Sequence, residues 1–85
     1  MREEVKKSLR ELRRALANFI GKSNVFFSKG YLNSDGKKAL VRLIKMAAKA
    51  SPELKIKLVR AYKKGDEVTV LRVVTSVMEE LNGGD

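Results

Sequence analysis

Cysteine, histidine, tryptophan and glutamine are all missing from this chain of 85 residues. Without cysteine it can form no disulfide, no thiolate metal site and no cysteine nucleophile. Without histidine it lacks the most common general base, and the two absences together remove the commonest ligands of transition metals. Catalysis would have to rely on carboxylates, lysine, tyrosine or hydroxyl groups. We therefore expect no enzyme activity, no cofactor and no metal site.

Long apolar runs are missing as well. No stretch approaches the roughly 20 apolar residues that a helix needs to cross a bilayer. The N-terminal sequence MREEVKKSLRELRR also lacks the uncharged core of a signal peptide. We therefore expect a soluble, cytoplasmic protein.

Positive charge is what the chain has in excess. It carries 19 Lys and Arg residues against 10 Asp and Glu residues, which gives a formal net charge of +9. Such an excess favours an acidic partner, which could be nucleic acid, an anionic membrane or an acidic protein surface. The abundance of Lys, Arg, Glu and Val without Gln resembles the composition of thermophile proteins, which raises the lysine content for reasons other than binding.

Apolar residues recur at helical spacing in four segments of the chain. The pattern predicts an all-α protein, a compact bundle of about four helices at roughly 2–20, 35–50, 52–64 and 67–81. An aromatic-containing loop is predicted at 21–34, where glycine, asparagine and serine interrupt the pattern. We expect a single helical domain at 1–82 and a frayed C-terminal tail at 83–85.

Residues that favour helix ends mark the boundaries of these segments. Ser34 or Asp35 is predicted to cap the second helix, and Ser51 the third, with Pro52 at the first helical position. Gly65 is predicted to end the third helix, and Asp66 to cap the last one.

Ten Lys and Arg residues lie between positions 37 and 65, where the only acid is Glu53. At helical spacing the cations form one stripe on the second predicted helix and another on the third. Because the connection between these helices is short, the helices must be neighbours, and the two stripes could merge into one surface.

This surface has two interpretations. A merely solvated helix usually interleaves Glu with Lys, so the lack of acids favours a binding role over solubility alone. The sequence predicts a small, basic, non-enzymatic nucleic-acid-binding protein or accessory subunit that contacts the phosphates of DNA or RNA largely without sequence specificity. The residues predicted to bind are Lys37, Lys38, Arg42, Lys45, Lys49, Lys55, Lys57, Arg60, Lys63 and Lys64.

The predicted loop contains three of the five aromatic residues. Phe26 and Phe27 are expected to fold back and close the open end of the bundle, because a core of Leu, Val and Ala needs bulk. Tyr31, beside Gly30, is the candidate for an exposed ring on which a base could stack.

The last predicted helix carries more apolar residues than one core needs. Val68, Leu71 and Val73 are the surplus and form a candidate protein interface. The alternative function is therefore a protein-protein adaptor or small subunit of a larger nucleic-acid-processing complex, with a homodimer as a related form. A membrane partner is disfavoured, because the apolar faces are needed for the core. Glu79 and Glu80 either form a solvated edge or meet a basic helix or a partner.

Overall fold

The computed structural model describes residues 3–83, without the side chains at positions 3, 5 and 83. Its elements in chain order are α1 (Glu3–Gly21), α2 (Ser23–Phe26), β1 (Phe27–Ser28), β2 (Tyr31–Leu32), α3 (Ser34–Ala50), α4 (Pro52–Lys64) and α5 (Glu67–Gly83). The all-α prediction is confirmed, since α1, α3, α4 and α5 match the four predicted helices closely. Helix α5 includes Gly83, and the rest of the predicted tail lies outside the described residues.

The four long helices pack in a ring around one core. Helix α1 packs against α3 and α5, and α4 packs against the same two helices. Among the described residues, the buried side chains are all apolar and come from the inward stripe of each long helix and from the hairpin: Leu12, Leu16, Phe19, Phe27, Leu32, Leu40, Leu43, Ala47, Leu54, Leu58, Ala61, Val70, Val74 and Val77.

Helix α5 is rich in β-branched residues, which have only modest helix propensity. Its buried stripe nevertheless repeats at helical spacing, with Val70, Val74 and Val77 fully buried. A valine in a helix costs about 0.5 kcal/mol relative to alanine, whereas burying its side chain contributes roughly 1.5 kcal/mol or more. Packing against the core therefore determines the helical state of this segment.

The segment between α1 and α3 contains a small antiparallel hairpin that the sequence pattern does not predict. Its register pairs Phe27 with Leu32, both buried, and Ser28 with Tyr31, both exposed. The two turn residues have positive φ angles, 55° at Lys29 and 85° at Gly30. Positive φ at both central positions is what a type I′ hairpin turn requires.

The two phenylalanines before this turn fold back onto the core, as predicted. The ring of Phe26 stacks on Phe19 at a centroid distance of 4.9 Å. The ring of Phe27 meets Phe19 edge-on at 6.1 Å. Aromatic pairs of this kind contribute about 0.5–1.5 kcal/mol each beyond their burial.

Asn33 joins this segment to the start of α3. Its Oδ1 accepts a hydrogen bond from the backbone N–H of Gly36 at 2.8 Å, and its Nδ2 donates to the carbonyl oxygen of Val25 at 2.8 Å. The cap of α3 is therefore Asn33, and the prediction of Ser34 or Asp35 was wrong. The physical reason is that Asn33 can both cap the helix and bind the preceding segment, which a serine hydroxyl or a carboxylate does less well.

The ends of α4 follow the predicted positions. Ser51 precedes Pro52 as the N-cap residue, although its side chain makes no capping hydrogen bond. Gly65 ends the helix with a φ of 72°, and its N–H donates to the carbonyl oxygen of Ala61. Asp66 then caps α5, because its Oδ2 accepts a 2.9 Å hydrogen bond from the backbone N–H of Thr69.

Phe26 and Leu32 lie so close to Gly36 that a side chain at this position is expected to reduce stability. A Cβ at this buried glycine would collide with the Phe26 carbonyl oxygen and lie 2.9 Å from Leu32 Cδ2. We expect Gly36→Ala to destabilise the protein by about 1–3 kcal/mol through overpacking. The matched control is Gly21→Ala, where a Cβ meets nothing within 4 Å. Urea denaturation should show the control unchanged or slightly more stable, and equal losses for both variants would contradict the account.

The Asp66 cap generates a pH prediction. The hydrogen bond from the Thr69 backbone amide lowers the pKa of Asp66 below its usual value of 3.8. A carboxyl group whose pKa is lower in the folded state stabilises the fold above its unfolded pKa and loses that effect as the pH falls through the folded value. We therefore expect the stability advantage of the native chain over Asp66→Asn to shrink between neutral pH and about pH 2. Denaturant midpoints measured across this range test it, and a pH-independent difference would contradict it.

Candidate nucleic-acid interface

The two basic helices run side by side in opposite directions. A single residue, Ser51, separates α3 from α4, and the two helices pack against each other. The first turns of α3 therefore lie beside the last turns of α4. This arrangement brings Lys37 together with Lys63 and Lys64, which are far from it along the chain.

One groove, which we call the α3 groove, follows the outer side of α3. Its volume is about 510 Å³, and its lining residues are Lys37, Lys38, Val41, Arg42, Lys45 and Tyr62. The cations are all exposed, whereas Val41 and Tyr62 are partly buried. The α3 groove therefore has an apolar base beneath a cationic rim.

A second groove, the hairpin groove, lies where β2 meets the end of α4. Its volume is about 400 Å³, and its lining residues are Tyr31, Leu32, Lys37, Tyr62, Lys63, Lys64 and Gly65. Because Lys37 and Tyr62 line both grooves, the two adjoin. All the charged residues that line them, among the described residues, are cations.

Six of the ten predicted binding residues line these grooves: Lys37, Lys38, Arg42, Lys45, Lys63 and Lys64. Two more extend the same side of the molecule by helical geometry. Lys49 lies one turn beyond Lys45 on the exposed stripe of α3, and Lys55 lies seven residues, or two turns, before Tyr62 on α4.

The remaining two cations are not brought to the grooves. Lys57 donates to both carboxylate oxygens of Glu80 on α5, at 2.7 and 2.8 Å. Lys57 therefore points towards α5, and Arg60, three residues later, lies on the same side of α4. The stripes on the two helices thus meet only in part. Glu80 pairs with a basic helix within the fold, while Glu79 is solvent-exposed.

The hairpin is attached to the connection between α4 and α5. The N–H of Leu32 donates to the carbonyl oxygen of Gly65, and the N–H of Glu67 donates to the carbonyl oxygen of Gly30, both at 2.8 Å. Tyr31 lies between these bonds, in an antiparallel bridge with Asp66. Tyr31 is 61% exposed, as the sequence suggested.

Tyr62 is the groove residue that the sequence reasoning missed. Helical spacing places Tyr62 on the apolar stripe of α4, four residues after Leu58, and it does pack partly against the core. It also lines both grooves, because it lies at the edge of the buried stripe of α4. The usable signal was its position seven residues after Lys55, on the same side of the helix.

The apolar surplus of α5 is smaller than the sequence suggested. Val68 is 65% exposed. Leu71 and Val73 are partly buried and pack against the core. Of the three residues proposed for a protein interface, only Val68 presents most of its side chain to solvent.

Residues 3–83 contain neither a membrane-spanning helix nor a cluster of metal-ligating side chains. The described helices include none with the length and apolarity needed to cross a bilayer. This part of the chain also has no group of three or more acidic, histidine or cysteine side chains arranged to hold a metal ion.

Comparisons with protein-family models, with curated proteins and with solved structures found no match to this chain.

Proposed function

We propose that this chain is a small, non-enzymatic nucleic-acid-binding protein or accessory subunit that holds backbone phosphates in the α3 and hairpin grooves. The observation that carries the proposal is the convergence of six cations on two adjoining grooves whose lining contains no acid. Like charges brought together repel, so such a surface is more stable when a polyanion neutralises it.

The dimensions of the cationic rim suit a polymer. Lys38 and Lys45, with Arg42 between them, are seven helical steps apart on α3, which is about 10 Å along the helix axis. Each nucleotide of a strand carries one phosphate charge, so a row of three cations along this length can neutralise a short run of the backbone. The hairpin groove continues the track with Lys63 and Lys64.

The chemistry of the rim favours binding without sequence readout. Five of the six cations that line the two grooves are lysines, whose flexible stems and point charges suit phosphates. Base edges are usually read by Arg, Asn or Gln, and Arg42 is the single member of this class among the lining residues. Phosphate contacts position a protein on nucleic acid but do not select a sequence.

Docking to a protein through α5 is the weaker candidate. Its support would come from an exposed apolar face, and Leu71 and Val73 are already partly covered by the core. A role as a subunit of a larger complex remains compatible with the grooves, because phosphate binding can serve an assembly as well as an isolated protein.

A charge-reversal pair tests the proposal. Arg42 lines the α3 groove, whereas Arg60, also exposed and also mid-helix, lines neither groove. We expect Arg42→Glu to weaken binding about tenfold or more at low salt and to reduce the slope of log affinity against log salt by about 1. Fluorescence anisotropy with labelled oligonucleotides is the measurement.

Arg60→Glu is the matched control, because it changes the net charge by the same amount at a different place. We expect it to weaken binding by about twofold, the effect of net charge alone. Equal losses for the two variants would show that overall charge, rather than the grooves, attracts the polymer.

A further inference from the structure

Tyr31 is an exposed aromatic side chain in a protein that buries its other loop aromatics. Phe27 belongs to the core and Phe26 packs against it, whereas Tyr31 is 61% exposed on the outer face of the hairpin. An aromatic ring in water contributes little to the stability of a fold. Its position is therefore better explained by contact with a ligand.

The backbone holds this ring in place. Leu32, the next residue, is buried and fixes the register of β2 against the core. Two backbone hydrogen bonds, one on either side of Tyr31, tie the hairpin to the connection after α4. The N–H of Leu32 donates to the carbonyl oxygen of Gly65, and the N–H of Glu67 donates to the carbonyl oxygen of Gly30. A ring presented on a rigid backbone loses little freedom when a ligand stacks on it.

The surroundings of the ring are cationic. Lys37, Lys63 and Lys64 line the hairpin groove together with Tyr31, and Tyr62 lies at the same groove. Aromatic rings beside a positively charged track are the arrangement on which unpaired bases stack while their phosphates are neutralised. In a duplex the faces of the bases are covered by their neighbours, so a surface ring has no free base to stack on.

We propose that the hairpin groove binds a single-stranded nucleic acid, with one unpaired base stacked on Tyr31 and the flanking phosphates held by Lys37, Lys63 and Lys64. This inference rests on the proposed function and adds to it the strandedness of the ligand and the residue that contacts the base. Stacking on a ring accepts any base, so it is compatible with weak sequence preference.

Intrinsic fluorescence reports on this contact directly. The chain has no tryptophan and two tyrosines, so Tyr62→Phe leaves Tyr31 as the only tyrosine emitter. The Tyr62→Phe protein is titrated with a single-stranded oligothymidylate, with an abasic strand of the same length and with a duplex. We expect saturable quenching of the Tyr31 emission by the oligothymidylate, and little quenching by the abasic strand or the duplex. An oligouridylate arm compares RNA with DNA for the same stacking chemistry.

Variants at position 31 in the otherwise native chain give the second readout. We expect Tyr31→Leu to weaken binding of oligothymidylate by about 5- to 150-fold, while Tyr31→Phe keeps the ring and the affinity. Binding of the abasic strand should be the same for the native chain and both variants. Circular dichroism checks that the exposed substitution leaves the helices intact.

The outcomes separate the two proposals. If Arg42→Glu weakens binding but Tyr31→Leu does not, the stacking inference is overturned and the phosphate-binding function stands. Equal affinities for the oligothymidylate, the abasic strand and the duplex would also overturn it. If the native chain binds none of these polymers at low salt, the proposed function fails, and the inference fails with it.

Discussion

The packing of α3 against α4 is the contact on which the rest of the structure depends. Each helix contributes two leucines and one alanine to the buried core, Leu40, Leu43 and Ala47 from α3 and Leu54, Leu58 and Ala61 from α4. The single-residue connection at Ser51 makes this pairing antiparallel. The pairing then determines which cations meet, because it places the beginning of one basic helix beside the end of the other.

The fold distributes its positive charge unevenly across the two helices. Lys57 is neutralised by Glu80 on α5. Because this ion pair is exposed to solvent, it contributes about 1 kcal/mol or less to the stability of the fold. The groove cations have no such acid among the residues that line the grooves with them. Their mutual repulsion is a cost that folding alone does not require, and the proposed polyanion would relieve it. The two tyrosines give the same grooves aromatic surface that lysines alone would not provide.

The sequence predicted the long helices and the short connections around α4 well, and the segment between α1 and α3 poorly. Helical spacing is a local signal, so α1, α3, α4 and α5 could be predicted, including the valine-rich α5. Each hairpin strand has only two residues, which is too short to show an alternating pattern. Lys29 adopts a positive φ where asparagine or glycine would have signalled the turn. Three consecutive capping residues, Asn33 to Asp35, left the start of α3 ambiguous.

Helical spacing is a local pattern, so the sequence could predict the part of the candidate site that lies on a single helix. The α3 stripe follows from spacing alone. The pairing of Lys57 with Glu80, 23 residues away, depends on how α4 packs against α5, and no local pattern specifies it. The same holds for Tyr62, whose place in both grooves depends on the position of α3. The six groove cations are therefore a smaller set than the ten that the sequence proposed.

The most direct measurement of the central claim is the salt dependence of binding by the native chain. Each of the six groove cations that neutralises a phosphate should release counterions from the nucleic acid. Log affinity should then fall linearly with log salt concentration, with a slope of about −4 to −5. A slope near zero, or no detectable binding at low salt, would contradict the claim that these grooves hold a phosphate backbone.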